Sequence, residues 1–211
     1  MNVVSEALHH AAIGVAVADD PSSIQAFLEP EYAAAIWKRK IPQINQTWLN
    51  SLDSDVLPSG RIVLRPEDVS GAINKLCDAS GLPVGTNRDW LVADIVSLSQ
   101  MFSDLMGVTH LRLRLSVVTT NACRKFHVDA ITSRLLCTYR GTGTQYGMSM
   151  SGENPTRVFT VQTGAPVLLR GTLWPAQPSS GLLHRSPPIE GTGESRLVLV
   201  VDPIFDPKVA V

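Results

Sequence analysis

Two histidines and one aspartate stand where they could share a metal ion. His127 and Asp129 are one residue apart, and His184 follows His127 by 57 positions. On an extended chain, side chains at i and i+2 point to the same face, so His127 and Asp129 can converge on one ion. With 5 histidines in 211 residues, chance alone supplies roughly 0.3 His-x-Asp tripeptides, so this one gains meaning only from its surroundings. Two neutral imidazoles and one carboxylate on one side of a metal leave adjacent positions open, which suits non-haem Fe(II) and O2 chemistry. Cys123 and Cys137 flank His127, and thiolate with imidazole is a zinc-type set, so zinc is the alternative metal.

The elements that must position these residues divide the chain by texture. Residues 1–107 read as mainly helical. Asp20-Pro21 is a helix-start signal, and the alanine-rich stretch from Glu31 to Lys38 ends in cations that suit a helix C-terminus. Gln43 to Leu52, Val69 to Ser80 after Pro66, and Asn87 to Leu105 before Gly107 keep helical spacing. Residues 108–211 read as β. Leu111, Leu113, Leu115 and Val117 alternate with Arg112, Arg114 and Ser116; His110 with the two arginines is either an anion pocket or, as the preferred reading, a solvated outer face. Further strands are expected at Lys125 to Val128, Arg134 to Tyr139, Arg157 to Val161, Pro166 to Arg170, Gly181 to Arg185 and Arg196 to Val201. Helices followed by strands, without alternation, imply an α+β fold: a helical N-terminal half packed on a β-sandwich or barrel, together one compact unit.

Long connections at Gly141 to Pro155 and Leu173 to Ser180 are candidate lids. The glycines from Gly141 to Gly147 miss dinucleotide spacing and precede no helix, so a flexible turn is the better reading. Trp174, in the loop before His184, is a candidate wall of a substrate pocket. Arg134 and Arg185 adjoin the proposed ligands and are candidates for a substrate carboxylate. Cys77 reads as a packing residue, and His9 and His10 as incidental.

Composition excludes several classes. Lysine plus arginine total 18 against 19 acidic residues, for a net charge of -1. No basic block could neutralise a row of phosphates, so nucleic acid is not an expected partner. The apolar stretch Ala11 to Ala18 is too short to span a bilayer and lacks a basic region before it, so neither membrane insertion nor export is expected. Three cysteines at irregular spacing fit a reducing cytoplasm.

The order His127-x-Asp129, then His184, then Arg196 resembles the Fe(II)/2-oxoglutarate-dependent oxygenases of double-stranded β-helix (jelly-roll, cupin-like) fold. Phe126-His127-Val128-Asp129 leading into Arg134–Tyr139 is similar to the first metal motif and following strand of that superfamily. His184–Pro188 and Gly191–Arg196 are similar to its distal half. The whole chain also resembles a bacterial family known as domain of unknown function 1826, through Ile36-Trp37-Lys38-Arg39 and the two histidine segments. The superfamily resemblance implies that His127, Asp129 and His184 bind Fe(II), that Arg196 grips the distal carboxylate of the cosubstrate 2-oxoglutarate, and that Tyr139 or Thr138 completes that subsite. It implies a dioxygenase acting on a small-molecule or peptide substrate. The frequent hydroxyl two residues after the arginine is Val198 here. The alternative is a zinc-binding, metal-homeostasis module of cupin type without oxygenase activity, in which a cysteine takes part.

Overall fold

The β texture begins earlier than the helical signals suggest. The computed structural model describes residues 11–149 and 153–206. In chain order its strands are β1 (Ala11–Ala12), β2 (Gly14–Ala18), β3 (Tyr32–Trp37), β4 (Gly60–Leu64), β5 (His110–Val118), β6 (Ser133–Arg140), β7 (Gln145–Met148), β8 (Phe159–Thr160), β9 (Pro166–Arg170), β10 (Ser179–Ser180), β11 (Leu182–Arg185) and β12 (Arg196–Ile204). The helices are α1 (Gln43–Ser51), α2 (Val69–Ser80) and α3 (Thr86–Met106). A seven-stranded sheet runs β2-β3-β9-β6-β12-β5-β4, and a three-stranded sheet runs β11-β7-β8. The result is a sheet-rich, jelly-roll-like architecture with few helices.

The expectation of a helical N-terminal half is therefore corrected. β2, β3 and β4 all precede residue 108 and lie in the same sheet as the later strands. The Glu31–Lys38 segment is strand β3, not a helix, because Ala33, Ala34 and Ala35 are buried on both faces between β2 and β9. Tertiary burial outweighs the helix preference of alanine, and a strand covered on both sides reads as a continuous apolar run. After Asp20, whose carboxylate accepts from Ser22 N at 2.7 Å, the chain forms a 3-10 helix over Pro21–Leu28. Arg170, 2 % exposed, ties that turn to the sheet by donating to the carbonyls of Phe27, Glu29 and Pro30.

The three expected helices from Gln43 onward are present. They cover one face of the large sheet. Leu49 of α1, Ile73 and Cys77 of α2, and Leu91, Ile95, Leu98 and Phe102 of α3 pack on Leu113, Leu115, Leu135, Leu168, Leu199 and Val201. Helix α3 stops at Gly107, whose φ of 63° allows its N–H to reach back to Ser103 and Asp104 carbonyls, a left-handed cap that favours glycine. The opposite, inner face carries Ala34, Ile36, Leu136, Val167, Leu169, Val198 and Val200, which share a second apolar cluster with Leu182 of β11. No helix of the described residues is long and apolar enough to cross a membrane.

Three strand expectations are revised. Lys125–Val128 forms only an isolated bridge, because the chain turns at once and its carbonyls at Asp129 and Ile131 accept from Thr172 and Leu173 N–H groups instead of from a neighbouring strand. Arg157–Val161 shrinks to β8. The Gly141–Pro155 connection contains β7, which pairs with β11 over four residues and so contributes to the small sheet. Residues 150–152 of that connection, and His9 and His10, lie outside the described residues.

Candidate metal centre

The backbone brings the two candidate histidines together directly. His127 and His184 exchange both N–H···O bonds at 3.0 Å, an antiparallel pair that places their side chains on one face. Their rings lie 4.6 Å apart between centroids. Asp129, two residues on, approaches both: Oδ1 is 3.5 Å from His127 Nε2, and Oδ2 is 3.0 Å from His184 Nε2. One ligand atom from each of the three lies within 4.8 Å of the others, and the group contains no cysteine.

Small features hold this geometry. His127 Nδ1 is 2.8 Å from the Lys125 carbonyl oxygen, so it carries the proton and leaves Nε2 with a lone pair facing the centre. The turn after Asp129 is pinned by Gly171, Thr172 and Leu173, whose N–H groups donate to Thr132, Asp129 and Ile131 carbonyls at 2.9–3.0 Å. A Cβ at Gly171 would sit 1.9 Å from Ile131 O and 2.7 Å from Asp129 O, so this close approach requires glycine. Arg134 Nη1 lies 2.7 Å from Asp129 Oδ2, while its Nε and Nη2 donate to Asp202 at 2.7 and 2.8 Å.

The electrostatics favour a ready ligand set. Burial works to raise the Asp129 pKa, but the His184 hydrogen bond and the Arg134 charge outweigh it and hold the carboxyl at about 2. Burial pushes the His184 imidazole below its ordinary value, partly opposed by Asp129, so the neutral ligand form is favoured. Asp129 Oδ2 is nevertheless buried without a hydrogen bond of acceptable geometry, although the Arg134 guanidinium and the His184 ring lie near it. A buried carboxylate oxygen left in that condition calls for a further partner, and a cation held jointly with two imidazoles satisfies it.

These ligands line a cavity of about 180 Å³ together with Arg114, Ser116, Cys123, Leu136, Ser186, Arg196 and Val198. Arg196 is 1 % exposed, the first residue of β12. Its Nε donates to Thr142 O at 2.6 Å, Nη1 to Ser186 Oγ at 3.2 Å and Nη2 to Thr138 Oγ1 at 3.3 Å. No carboxylate pairs with it among the described residues, and burial lowers its pKa to about 10 despite the opposing field of Glu194. A buried guanidinium facing only neutral oxygens is a receptor for an anion.

The strand alternation sorts the other sequence candidates. Thr138 shares the inner face with Arg134 and Leu136 and touches Arg196. Tyr139, one residue on, points to the helices, where its hydroxyl donates to Asp94 at 2.7 Å, so it lies on the opposite side of the sheet from Arg196 and the cavity. Cys137 is likewise buried on the helix face, near Arg39 and Gly164, which removes it from any zinc set. Cys123 remains at the cavity rim, exposed. Trp174 does not wall the cavity: it packs edge-on against Phe27 at 5.1 Å and beneath Arg170. Arg185 lies on the far side of β11 from His184; it borders the cavity, but its guanidinium rests over Phe126 and its Nε donates to Gln145. Arg134 has its donors committed to two carboxylates and positions Asp129.

Sequence reasoning missed Asp202, gave Ser186 no role of its own, and preferred a solvated face to an anion pocket for Arg114. The face of Arg112 and Arg114, read as solvated, is the inner face of the sheet: Arg114 sits beside Val200 and borders the cavity. The signal present in the sequence was the alternation itself, whose polar side holds an exposed Arg114 that also borders the cavity.

The fold of one solved dioxygenase agrees with this architecture. The chain is similar to the dioxygenase for auxin oxidation of rice, at 11% identity and TM-score 0.50, over 93% of this chain and 84% of that one. It is also similar to dioxygenase for auxin oxidation 1 from Arabidopsis thaliana, solved with 2-oxoglutarate, at 10% identity and TM-score 0.49 over 93% and 94% of the two chains. A prolyl-4-hydroxylase of Pseudomonas putida matches at 11% identity and TM-score 0.46, over 87% and 98%. No curated protein matches the chain. A family model covers residues 18–202, from β2 through the metal-centre loop to Asp202, and the chain therefore belongs to the family described as protein of unknown function DUF1826.

Proposed function

We propose that this protein is a mononuclear non-haem Fe(II)- and 2-oxoglutarate-dependent dioxygenase built on a double-stranded β-helix. The observation that carries the reading is the pairing, in one cavity, of an incompletely satisfied His-Asp-His cluster with a buried arginine that lacks an acid. His127, Asp129 and His184 would hold the iron, and Arg196 with Thr138 the distal carboxylate of 2-oxoglutarate. When bound, the pair supplies oxidation of a substrate C–H by O2, with 2-oxoglutarate leaving as succinate and CO2.

The chain's own contributions are positional. His127 is fixed by Lys125 O, Asp129 by Arg134, and Arg134 in turn by Asp202. Leu136, Val198 and Val200 give the cavity an apolar floor that limits water. Ser186 and the Thr142 carbonyl hold the Arg196 fork at the cavity wall, so a carboxylate meets it already oriented.

An anaerobic titration of the metal-free protein with Fe(II) and then 2-oxoglutarate tests this. A saturable visible charge-transfer band from the chelated cosubstrate is expected, and its loss in His184→Ala. Tight Fe(II) binding with no band at saturating 2-oxoglutarate would refute the cosubstrate assignment.

A further inference from the structure

The inner face beyond the metal centre carries charges that the proposed reaction does not use. β4 and β5 pair antiparallel with Arg61 directly opposite Arg114. Val200 opposes Arg114 on its other side, so both arginines share the face of Val200, Val198 and Arg196. Both are exposed, and Arg114 lines the same cavity as His127, Asp129 and His184.

Like charges directly opposite on neighbouring strands repel and weaken a sheet. Here no relief is supplied within the protein: neither Arg61 nor Arg114 has an ion pair or hydrogen-bonded side-chain partner among the described residues. Asp202, the acid next along the face, is already gripped by Arg134. The arginines that line the cavity beside Arg114 differ in this respect, Arg134 being held by two carboxylates, Arg196 by three oxygens and Arg185 by Gln145. Two adjacent planar forks without an acid form a site that an oxyanion completes.

We propose that Arg61 and Arg114 bind the anionic group, a carboxylate or a phosphate, of a small-molecule substrate and so hold its oxidisable carbon towards the metal centre. This rests on the oxygenase reading for the identity of the ligand as substrate. Arg114 and Arg134 are two strands and one two-residue repeat apart, roughly 12 Å of sheet. That distance, and a shared cavity of about 180 Å³, suit a compact acid in place of a peptide. Ser116, next on the same face of β5 and also in the cavity wall, places a hydroxyl on the side of Arg114 that leads to Arg196.

The test titrates the metal-free full chain with inorganic phosphate and, separately, with propionate, following amide chemical shifts. It compares wild type with Arg61→Gln, Arg114→Gln, the double variant and Arg196→Gln. At least one oxyanion is expected to show in wild type a site that persists in Arg196→Gln and weakens tenfold or more in each of Arg61→Gln and Arg114→Gln, apart from any binding that Arg196 itself supplies; which oxyanion does so names the substrate group. Folding is checked by the Tm, which should hold or rise in Arg61→Gln because a repulsion is removed. Oxyanion binding that survives in the double variant but disappears in Arg196→Gln would place the ion in the cosubstrate subsite and overturn the proposal. So would binding of neither oxyanion to wild type. The Fe(II) and 2-oxoglutarate band is read on every protein. A band without arginine-dependent oxyanion binding defeats this proposal alone, whereas arginine-dependent binding without a band supports the anion site and defeats the oxygenase reading alone.

Discussion

A polar network on the helix face of the seven-stranded sheet is closed, whereas the cavity on the inner face leaves groups open. On the helix face, Asp94 of α3 accepts from both terminal nitrogens of Arg39, at 2.5 and 2.6 Å, and from the Tyr139 hydroxyl at 2.7 Å. The remaining Arg39 Nε donates to Gly164 O at 2.8 Å. Every strong group in that network has a partner, and the network sits within packed leucines. On the inner face, Asp129 Oδ2 lacks a well-formed hydrogen bond, Arg196 lacks an acid, and Arg61 faces Arg114. A closed network specifies a fold, whereas groups left open in a cavity are available to a ligand. One strand, β6, serves both: Cys137 and Tyr139 look to the helices, Arg134 and Thr138 to the cavity.

Paired substitutions test the division most severely. Asp129→Ala is expected to abolish Fe(II) binding, a loss of a thousandfold or more in affinity, while far-UV circular dichroism stays that of the wild type. Asp94→Ala should do the reverse. Removing the acid of a buried ion pair leaves Arg39 uncompensated and costs about 3–5 kcal/mol, read as a lower urea midpoint, with the Fe(II) and 2-oxoglutarate band intact at temperatures where the protein is folded. A band lost equally in both variants would erase the distinction between the faces.

The next comparison separates neighbours on one strand from their supposed common role. Arg196→Ala should spare Fe(II) but weaken 2-oxoglutarate by about 2–5 kcal/mol, hence at least roughly thirtyfold in Kd. Tyr139→Phe should leave that Kd unchanged and cost roughly 1.5–3 kcal/mol of folding stability through the lost hydrogen bond to Asp94. A Tyr139→Phe effect on cosubstrate affinity would show that the two faces communicate through β6.

How far the sequence discloses this arrangement depends on whether the information is local. The strands Pro166–Arg170 and Ser133–Arg140 and the helix Thr86–Met106 are visible as periodicity, and the His-x-Asp and His184 segments as a motif. The identity of Glu31–Lys38 was hidden because its alanines take their state from burial between two strands distant in sequence. Tyr139 and Thr138 could not be told apart without knowing which side of β6 meets the helices. Asp202 becomes a partner of Arg134 only through the antiparallel register of β12 on β6, in which Val201 lies opposite Leu135. Face and register are set by pairing between remote segments, and a single sequence carries them only indirectly.

Smaller effects sharpen the picture of the inner face. Arg134 both orients Asp129 and places a positive charge beside the metal position. Orientation should dominate, because releasing the fork frees the Asp129 carboxylate and strips Asp202 of its partner. Arg134→Gln is then expected to weaken Fe(II) about ten- to hundredfold, and Arg134→Lys, which keeps charge but not the fork, to weaken it as well. Tighter Fe(II) binding in Arg134→Gln would mean that charge repulsion governs instead.

The mildest prediction concerns pH. Asp129, held at about 2, is ionised throughout the range in which the protein would be assayed. Protons compete with the metal at His184, and its lowered pKa delays that protonation to below the ordinary value of about 6.5. The sign follows: the ligand form is complete at high pH and is lost as pH falls. Fe(II) affinity of the metal-free protein should be flat from pH 8 to 7 and should drop below pH 6, by up to about tenfold per unit as His184 titrates. The helix face contributes nothing to this dependence, since burial raises the Cys137 thiol to about 12 and the Tyr139 hydroxyl well above its ordinary value, leaving both protonated. Asp94→Ala should accordingly keep the wild-type pH profile at a reduced stability. His184→Gln, which lacks the titrating ring, should flatten what metal binding survives, and a profile unchanged by that substitution would remove His184 from the ligand set.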